Sequence, residues 1–139
     1  MMTLAYYSKK ENKFHSKLYS DRDKCKQDFS ALKRANVPFL YTAHYNQYGA
    51  GGTEMKSYGL GFGKAIPMTV LPANVKKVIE KAFDEISECD FGGKQEFCYN
   101  VYESVNWYGV WIDCGEDDFE NEVTFRMFIT KDGSDILNV

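Results

Sequence analysis

The chain lacks the sequence signatures of the common hydrolases. It has no G-x-S-x-G nucleophile elbow and no H-E-x-x-H zinc helix, and its two histidines are His15 and His44. His44 lies in a tyrosine-rich strand, where a neighbouring carboxylate would make it a general base. A histidine on a strand is more often a hydrogen-bonded packing residue. The sequence therefore favours a non-enzymatic protein and predicts no catalytic residue, with a small enzyme that uses His44 as the alternative.

Cysteine is scarce and irregularly spaced. The four cysteines, Cys25, Cys89, Cys98 and Cys114, form no C-x-x-C pair, and their gaps of 64, 9 and 16 residues match no zinc-site spacing. We expect free, buried thiols, no metal and no cofactor.

Long apolar runs and a basic leader are also missing. No run of about 18 apolar residues occurs, which excludes a membrane-spanning helix. The first ten residues lack the basic start and apolar stretch of a secretory signal. With 139 residues, the chain is large enough to bury a core without a disulfide or a metal. We expect a single compact domain over residues 1–139, located in the cytoplasm, or in the host cytoplasm if the protein is viral.

The first half reads as β-β-α-β-β. Thr3–Ser8 and Phe14–Tyr19 are aromatic-containing runs on either side of a charged tip, which predicts a hairpin. A helix over Asp21–Asn36 follows a capping-box-like start at Ser20 and ends before Pro38. Two further strands are then predicted, Phe39–Gln47 and Met55–Phe62.

The second half begins with the clearest helix, which starts near Pro72 and ends before Gly92-Gly93. Its apolar stripe comprises Val75, Val78, Ile79, Ala82, Phe83 and Ile86. The remainder predicts strands over Gln95–Glu103, Val105–Asp113, Glu122–Thr130 and, after an Asp-Gly turn, Ile136–Val139. The predicted fold class is α+β: β-β-α-β-β-α followed by an antiparallel meander of three to four strands, with two helices packed on the sheet.

Six glycines between Gly49 and Gly63 invite a comparison with phosphate-binding loops. The P-loop order is absent, because Tyr58 stands five residues before Gly63 and Ala65 follows Lys64. We expect a hairpin turn and a strand whose glycines allow an aromatic ring or a neighbouring backbone to pack closely.

Charge is divided along the chain. Residues 1–81 hold 14 basic and 6 acidic residues, a net charge of +8, and residues 82–139 hold 3 basic and 14 acidic residues, a net charge of −11. Either the two halves pair with each other at their rims, or one or both meet a charged partner.

The basic half supplies one candidate surface. Its predicted residues are Lys9, Lys10, Lys13, Lys17, Lys24, Lys33 and Arg34. Together with nearby tyrosines they would suit single-stranded nucleic acid such as RNA. The chain has only three arginines and a net charge of −3, which argues against nucleic acid as the first choice.

The acidic run from Asp113 to Glu122 supplies another candidate surface. It lacks the order of an EF-hand loop, so Ca²⁺ binding is the weakest interpretation. A solvated loop and an acidic contact loop both remain open. The predicted contact residues are Glu116, Asp117, Asp118, Phe119 and Glu120.

Aromatic residues are abundant, with ten Tyr, ten Phe and two Trp. Strand alternation places Trp107 and Trp111 on one face and Tyr108 on the other. We expect these three as aromatic anchors of an interface, with packing inside the sheet as the plainer alternative.

Together these features predict a small binding protein that acts through a protein–protein interface. Compact, charge-divided chains of this size are common among inhibitors from viruses and mobile elements. We therefore expect a protein partner, with a host nucleic-acid-handling complex as one target, and nucleic acid as the alternative partner. The sequence does not predict the oligomeric state.

Overall fold

The computed structural model describes residues 2–44, 53–88, 98–116 and 122–139. It divides into two compact units, Met1–Gly61 and Phe62–Val139. Among these described residues, each unit contains one antiparallel sheet and one α-helix, so the α+β prediction is confirmed. The prediction of a single domain over residues 1–139 stays a prediction.

The first unit has a four-stranded sheet in the order β2-β1-β3-β4. Its strands are β1 (Met2–Ser8), β2 (Lys13–Tyr19), β3 (Phe39–His44) and β4 (Thr53–Tyr58), so β2 and β4 form the two edges. Helix α1 (Arg22–Arg34) connects β2 to β3 and packs on β1, β2 and β3.

One face of this sheet forms the core beneath α1. Strand alternation points Leu4 on β1, with Phe39 and Tyr41 on β3, toward Cys25 on α1, and all four side chains are buried. Phe29 packs against the same cluster and is half-buried.

Helix α1 begins one residue later than the capping-box pattern predicts. Asp21, not Ser20, is the N-cap, and its carboxylate accepts hydrogen bonds from the backbone N–H groups of Asp23 and Lys24 at 2.9 and 3.3 Å. A carboxylate at this position satisfies free N–H groups and also faces the positive end of the helix dipole. The aspartate therefore replaces the adjacent serine as the cap.

The second unit has a five-stranded meander in the order β5-β6-β7-β8-β9. Its strands are β5 (Lys64–Ile66), β6 (Cys98–Glu103), β7 (Trp107–Glu116), β8 (Glu122–Thr130) and β9 (Ile136–Asn138). The four strands predicted after the second helix correspond to β6–β9, and the short strand β5 was not predicted. A 3-10 turn (Met68–Val70) and α2 (Ala73–Glu88) lie between β5 and β6.

The apolar stripe of α2 packs on this sheet as predicted. Val75 and Ile79 are fully buried against Tyr108, Val110 and Ile112 of β7. The partly buried stripe residues that join this core are Val78, Ala82 and Phe83.

Gly63, directly before β5, allows a neighbouring backbone to pack closely, as the sequence predicts. A Cβ on Gly63 would lie 2.0 Å from the carbonyl oxygen of Glu103, so no larger residue fits between β5 and β6. Gly59 has φ +71, a conformation that glycine adopts without strain. Neither helix in the described ranges is long and apolar enough to cross a membrane.

Candidate interaction surface of the first unit

A weaker form of the charge division remains when the chain is divided at the boundary between the two units. The first unit, Met1–Gly61, holds 10 basic and 5 acidic residues, a net charge of +5. The second unit, Phe62–Val139, holds 7 basic and 15 acidic residues, a net charge of −8. A small sheet-and-helix unit therefore concentrates the positive charge of the chain.

The basic residues singled out from the sequence are all on the surface of the first unit. The exposed side chains are Lys9, Lys10, Lys13, Lys17, Lys24, Lys33 and Arg34. Within the described ranges, none of the seven forms an ion pair with a carboxylate. Lys17 and Lys33 instead cover tyrosine rings, at 5.0 Å from the Tyr19 centroid and 5.8 Å from the Tyr58 centroid.

Strand topology gathers five of these side chains at one end of the unit. β1 ends where β3 begins, because the two strands are antiparallel and Tyr6 pairs with Phe39. The hairpin tip follows β1, and the last turn of α1 precedes β3, so both lie at this end of the sheet. We call this surface the basic end, and its residues are Lys9, Lys10, Lys13, Lys33 and Arg34.

Two asparagines hold the backbone of the basic end. Asn12 and Asn36 are the non-glycine residues with positive φ, at 52° and 57°, in the described part of the chain. Each side-chain oxygen accepts a hydrogen bond from a tyrosine: Tyr7 donates to Asn12 at 2.7 Å, and Tyr58 donates to Asn36 at 2.9 Å. Asparagine tolerates this left-handed conformation better than most residues. The hairpin tip and the end of α1 are therefore both fixed to the sheet.

Asn36 also ends α1. Its N–H bonds the carbonyl of Lys33, and the N–H of Val37 bonds the carbonyl of Leu32, at 3.0 and 2.9 Å. This is the Schellman arrangement, in which a left-handed residue satisfies the last helical carbonyls. The helix thus ends two residues before the predicted boundary, and Pro38 follows the end without causing it.

A groove of about 610 Å³ lies between α1 and edge strand β4, beside the basic end. Lys33 and Arg34 line it from the helix, and Lys56 lines it from the strand. No acidic residue is among the described residues that line it. The described lining of the groove thus contributes three cationic side chains along a sheet edge.

The floor of this groove is aromatic, but its rings face one another. Phe29 stacks on Phe39 with centroids 5.7 Å apart, and Phe39 stacks on Tyr58 at 5.6 Å. Phe39 is 4% exposed, and Lys33 covers the Tyr58 ring. The ring faces are used inside the unit, which leaves little aromatic surface for a stacked base.

The opposite side of α1 has different chemistry. A groove of about 560 Å³ there contains Tyr19, whose hydroxyl donates to the Asp28 carboxylate at 2.5 Å, and His15, which hydrogen-bonds Glu11. Burial, and then the hydrogen bond to Asp28, raise the pKa of Tyr19 above its ordinary value. The hydrogen bond from His15 lowers the pKa of Glu11. The acidic side chains of Asp28 and Glu11 lower the net positive charge on this side of α1.

Cys25 is the cysteine whose side chain the structure describes. It is fully buried, and burial raises its pKa, as expected for an inert thiol. Across the described residues, no group of three or more His, Cys, Asp or Glu side chains is arranged to hold a metal ion.

The remaining predicted site residues fall in the second unit or outside the described residues. Trp107 and Tyr108 are 4% and 7% exposed, and Trp111 is half-buried between Phe62 and Arg126. Of these three rings, Trp111 keeps the most accessible surface, and the anchor role stays a prediction. Asp117, Asp118, Phe119 and Glu120 of the acidic loop lie outside the described residues, as do the side chains of Glu116 and His44.

No family model, curated protein or solved structure matches this chain.

Sequence reasoning had found the seven basic residues but missed Lys56 and the groove. The missing information was spatial, since β3 and the glycine-containing residues 45–52 separate α1 from β4 in the sequence. The signal for Asn36 was present, because an asparagine directly after a helical stretch indicates a left-handed C-terminal cap.

Proposed function

We propose that the protein is a non-enzymatic binding protein whose first unit engages an acidic surface of a protein partner. The observation that carries the proposal is the basic end: five exposed basic side chains, held by two asparagine-fixed turns, none of which forms an ion pair with a carboxylate in the described ranges. Such a surface steers and orients an acidic partner.

Helix stabilisation alone can explain two of the five positive charges of the basic end. Lys33 and Arg34 occupy the last turn of α1, where cations complement the negative end of the helix dipole. That account does not extend to Lys9, Lys10 and Lys13, which lie in a hairpin at the sheet end. The hairpin lysines therefore provide the sharper test of an interaction surface.

A protein partner is preferred over nucleic acid for two reasons. Lysine supplies four of the five charges, whereas bidentate recognition of phosphate and bases favours arginine. The stacked rings of the groove also leave few open faces for bases. In the form that the sequence favours, the partner belongs to a nucleic-acid-handling complex in the host cytoplasm, and the protein inhibits it by occupying a charged surface.

The test is a tagged pull-down from lysate with and without nuclease, using two charge-matched variants. Lys9→Glu/Lys10→Glu/Lys13→Glu changes the basic end, and Lys76→Glu/Lys77→Glu/Lys81→Glu makes the same charge change on α2 of the second unit. We expect a nuclease-resistant protein whose recovery falls at least about tenfold with the first variant and stays unchanged with the second.

Three results would contradict the proposal. Loss of the captured protein on nuclease treatment would make nucleic acid the partner. Equal loss with both variants would indicate a response to net charge alone. Unchanged recovery with the hairpin variant would place the interface on another surface. Thermal melting of each variant verifies that the fold is retained.

A further inference from the structure

The groove between α1 and β4 has an open sheet edge along one wall. β4 pairs with β3 on one side and is the last strand of its sheet, so its outer side has no strand neighbour among the described residues. An edge of this kind presents backbone N–H and C=O groups that an extended peptide can pair with.

The pairing register identifies a backbone group that faces outward. Tyr7 on β1 donates its N–H to the carbonyl of Pro38, so the backbone groups of Tyr7 and of Ala5, two residues before it, point toward β3. Ala5 pairs with Leu40, whose groups therefore point back toward β1. Ser57 lies opposite Leu40 on β4. Its N–H and C=O consequently point away from β3, into the groove.

The charge of the groove determines the kind of peptide that fits. Lys33 and Arg34 stand on the helix side and Lys56 on the strand side, with no acidic residue among the described lining residues. A strand that pairs with β4 would direct alternate side chains toward α1. Acidic residues at those alternate positions would meet these three cations, whereas basic ones would be repelled.

We propose that this groove binds an extended acidic segment of a protein partner, which adds to β4 as a fifth strand. The proposal rests on the proposed function and specifies its recognition mode. Main-chain hydrogen bonds to β4 supply affinity, and the contacts of alternate carboxylates with Lys33, Arg34 and Lys56 supply specificity. Nucleic acid lacks the main-chain pattern that an open strand edge recognises.

The probe is a fluorescein-labelled heptapeptide of alternating Glu and Val, measured by fluorescence anisotropy against the full chain. We expect saturable binding that weakens at least about tenfold with Lys33→Glu/Arg34→Glu/Lys56→Glu. The charge-matched control, Lys76→Glu/Lys77→Glu/Lys81→Glu, should bind within about twofold of wild type. A Lys-Val heptapeptide should not bind.

A second pair of variants separates strand addition from simple charge attraction. Ser57→Pro removes the outward N–H without removing a bond to β3, and Ser57→Ala keeps that N–H. Both variants lose the 2.6 Å hydrogen bond from the Ser57 hydroxyl to the Leu60 carbonyl, so they match in that respect. We expect Ser57→Pro to weaken peptide binding at least about tenfold and Ser57→Ala to change it less than about twofold.

Several results would overturn the inference. The first is that the Glu-Val peptide does not bind. The second is that Ser57→Pro and Ser57→Ala weaken peptide binding equally. The third is that an oligothymidylate binds the same groove cations more tightly than the Glu-Val peptide does. Where Ser57→Pro unfolds the protein, the amide of Ser57 in ¹⁵N NMR decides instead. It should gain exchange protection on adding the peptide to wild type, and unchanged protection contradicts strand addition. If the hairpin variant loses the natural partner while the groove variants retain it, the proposed function stands and this inference fails.

Discussion

At the residue scale, a few tyrosines determine how the first unit is held together. Tyr7 and Tyr58 each donate to an asparagine that the backbone places at positive φ. Tyr41 behaves differently: it is 1% exposed, and its hydroxyl finds no partner within the described part of the chain. Paired hydroxyls stabilise the turns, whereas an unpaired buried hydroxyl opposes folding.

Replacing Tyr41 with phenylalanine tests this contrast. Because the change removes a buried polar group and keeps the ring against Phe29, we expect the free energy of unfolding to rise by up to about 1 kcal/mol. Urea denaturation followed by circular dichroism measures it. A loss of more than about 1 kcal/mol would mean that the hydroxyl has a hydrogen-bond partner.

The left-handed conformation of Asn36 gives a second residue-scale prediction. Asn36→Ala loses the hydrogen bond from Tyr58 and also forces alanine to φ near 57°, so we expect a loss of about 1–2 kcal/mol in unfolding free energy. Asn36→Gly loses the same bond without the backbone strain and should cost less. Equal losses for the two variants would show that the hydrogen bond, and not the backbone, matters.

At the element scale, the tight turn between β8 and β9 is organised by one carboxylate. The side chain of Asp132 accepts hydrogen bonds from the Ser134 hydroxyl at 2.7 Å, the Ser134 N–H at 3.0 Å and the Thr130 hydroxyl at 2.8 Å. These bonds, led by that of the Ser134 hydroxyl, lower the pKa of Asp132 to about 2. Gly133, at φ +76, completes the turn.

This turn predicts a pH dependence with a defined sign. Because the folded pKa is depressed, the ionised Asp132 stabilises the fold above its ordinary pKa, and that contribution is lost as the pH falls from about 4 to about 2. Asp132→Asn should therefore lower the melting temperature at neutral pH, with the difference from wild type shrinking toward pH 2. Asp84→Asn on α2 is the single-charge control. A difference that stays constant with pH would contradict the assignment.

The same scale shows what the sequence can and cannot predict. Local patterns were sufficient to locate the longer strands and α2, because two-residue and 3.6-residue periodicities report burial directly. The pattern missed β5, which has three residues, and it placed the cap of α1 on Ser20 when Asp21 competes for the same N–H groups. Local sequence patterns could not predict the groove, because a surface between α1 and β4 depends on the order of the strands in the sheet.

At the scale of the whole molecule, net charge is a poor description of this protein. The overall net charge of −3 is the sum of +5 on one unit and −8 on the other. At salt concentrations where the Debye length is about 10 Å, a charged surface responds to its local charge and not to the distant sum. The exposed basic end should thus attract anionic surfaces despite the negative total.

Ion exchange tests this without any knowledge of the partner. At pH 7 and about 0.1 M salt, we expect a cation exchanger to retain the protein and to release it at about 0.2–0.3 M salt, where the local field is also screened. Lys9→Glu/Lys10→Glu/Lys13→Glu should abolish retention, because it removes the hairpin part of the basic end. Lys76→Glu/Lys77→Glu/Lys81→Glu produces the same net charge and should remain bound. If both variants pass through the column together, net charge governs retention, and the basic end does not act as a separate surface.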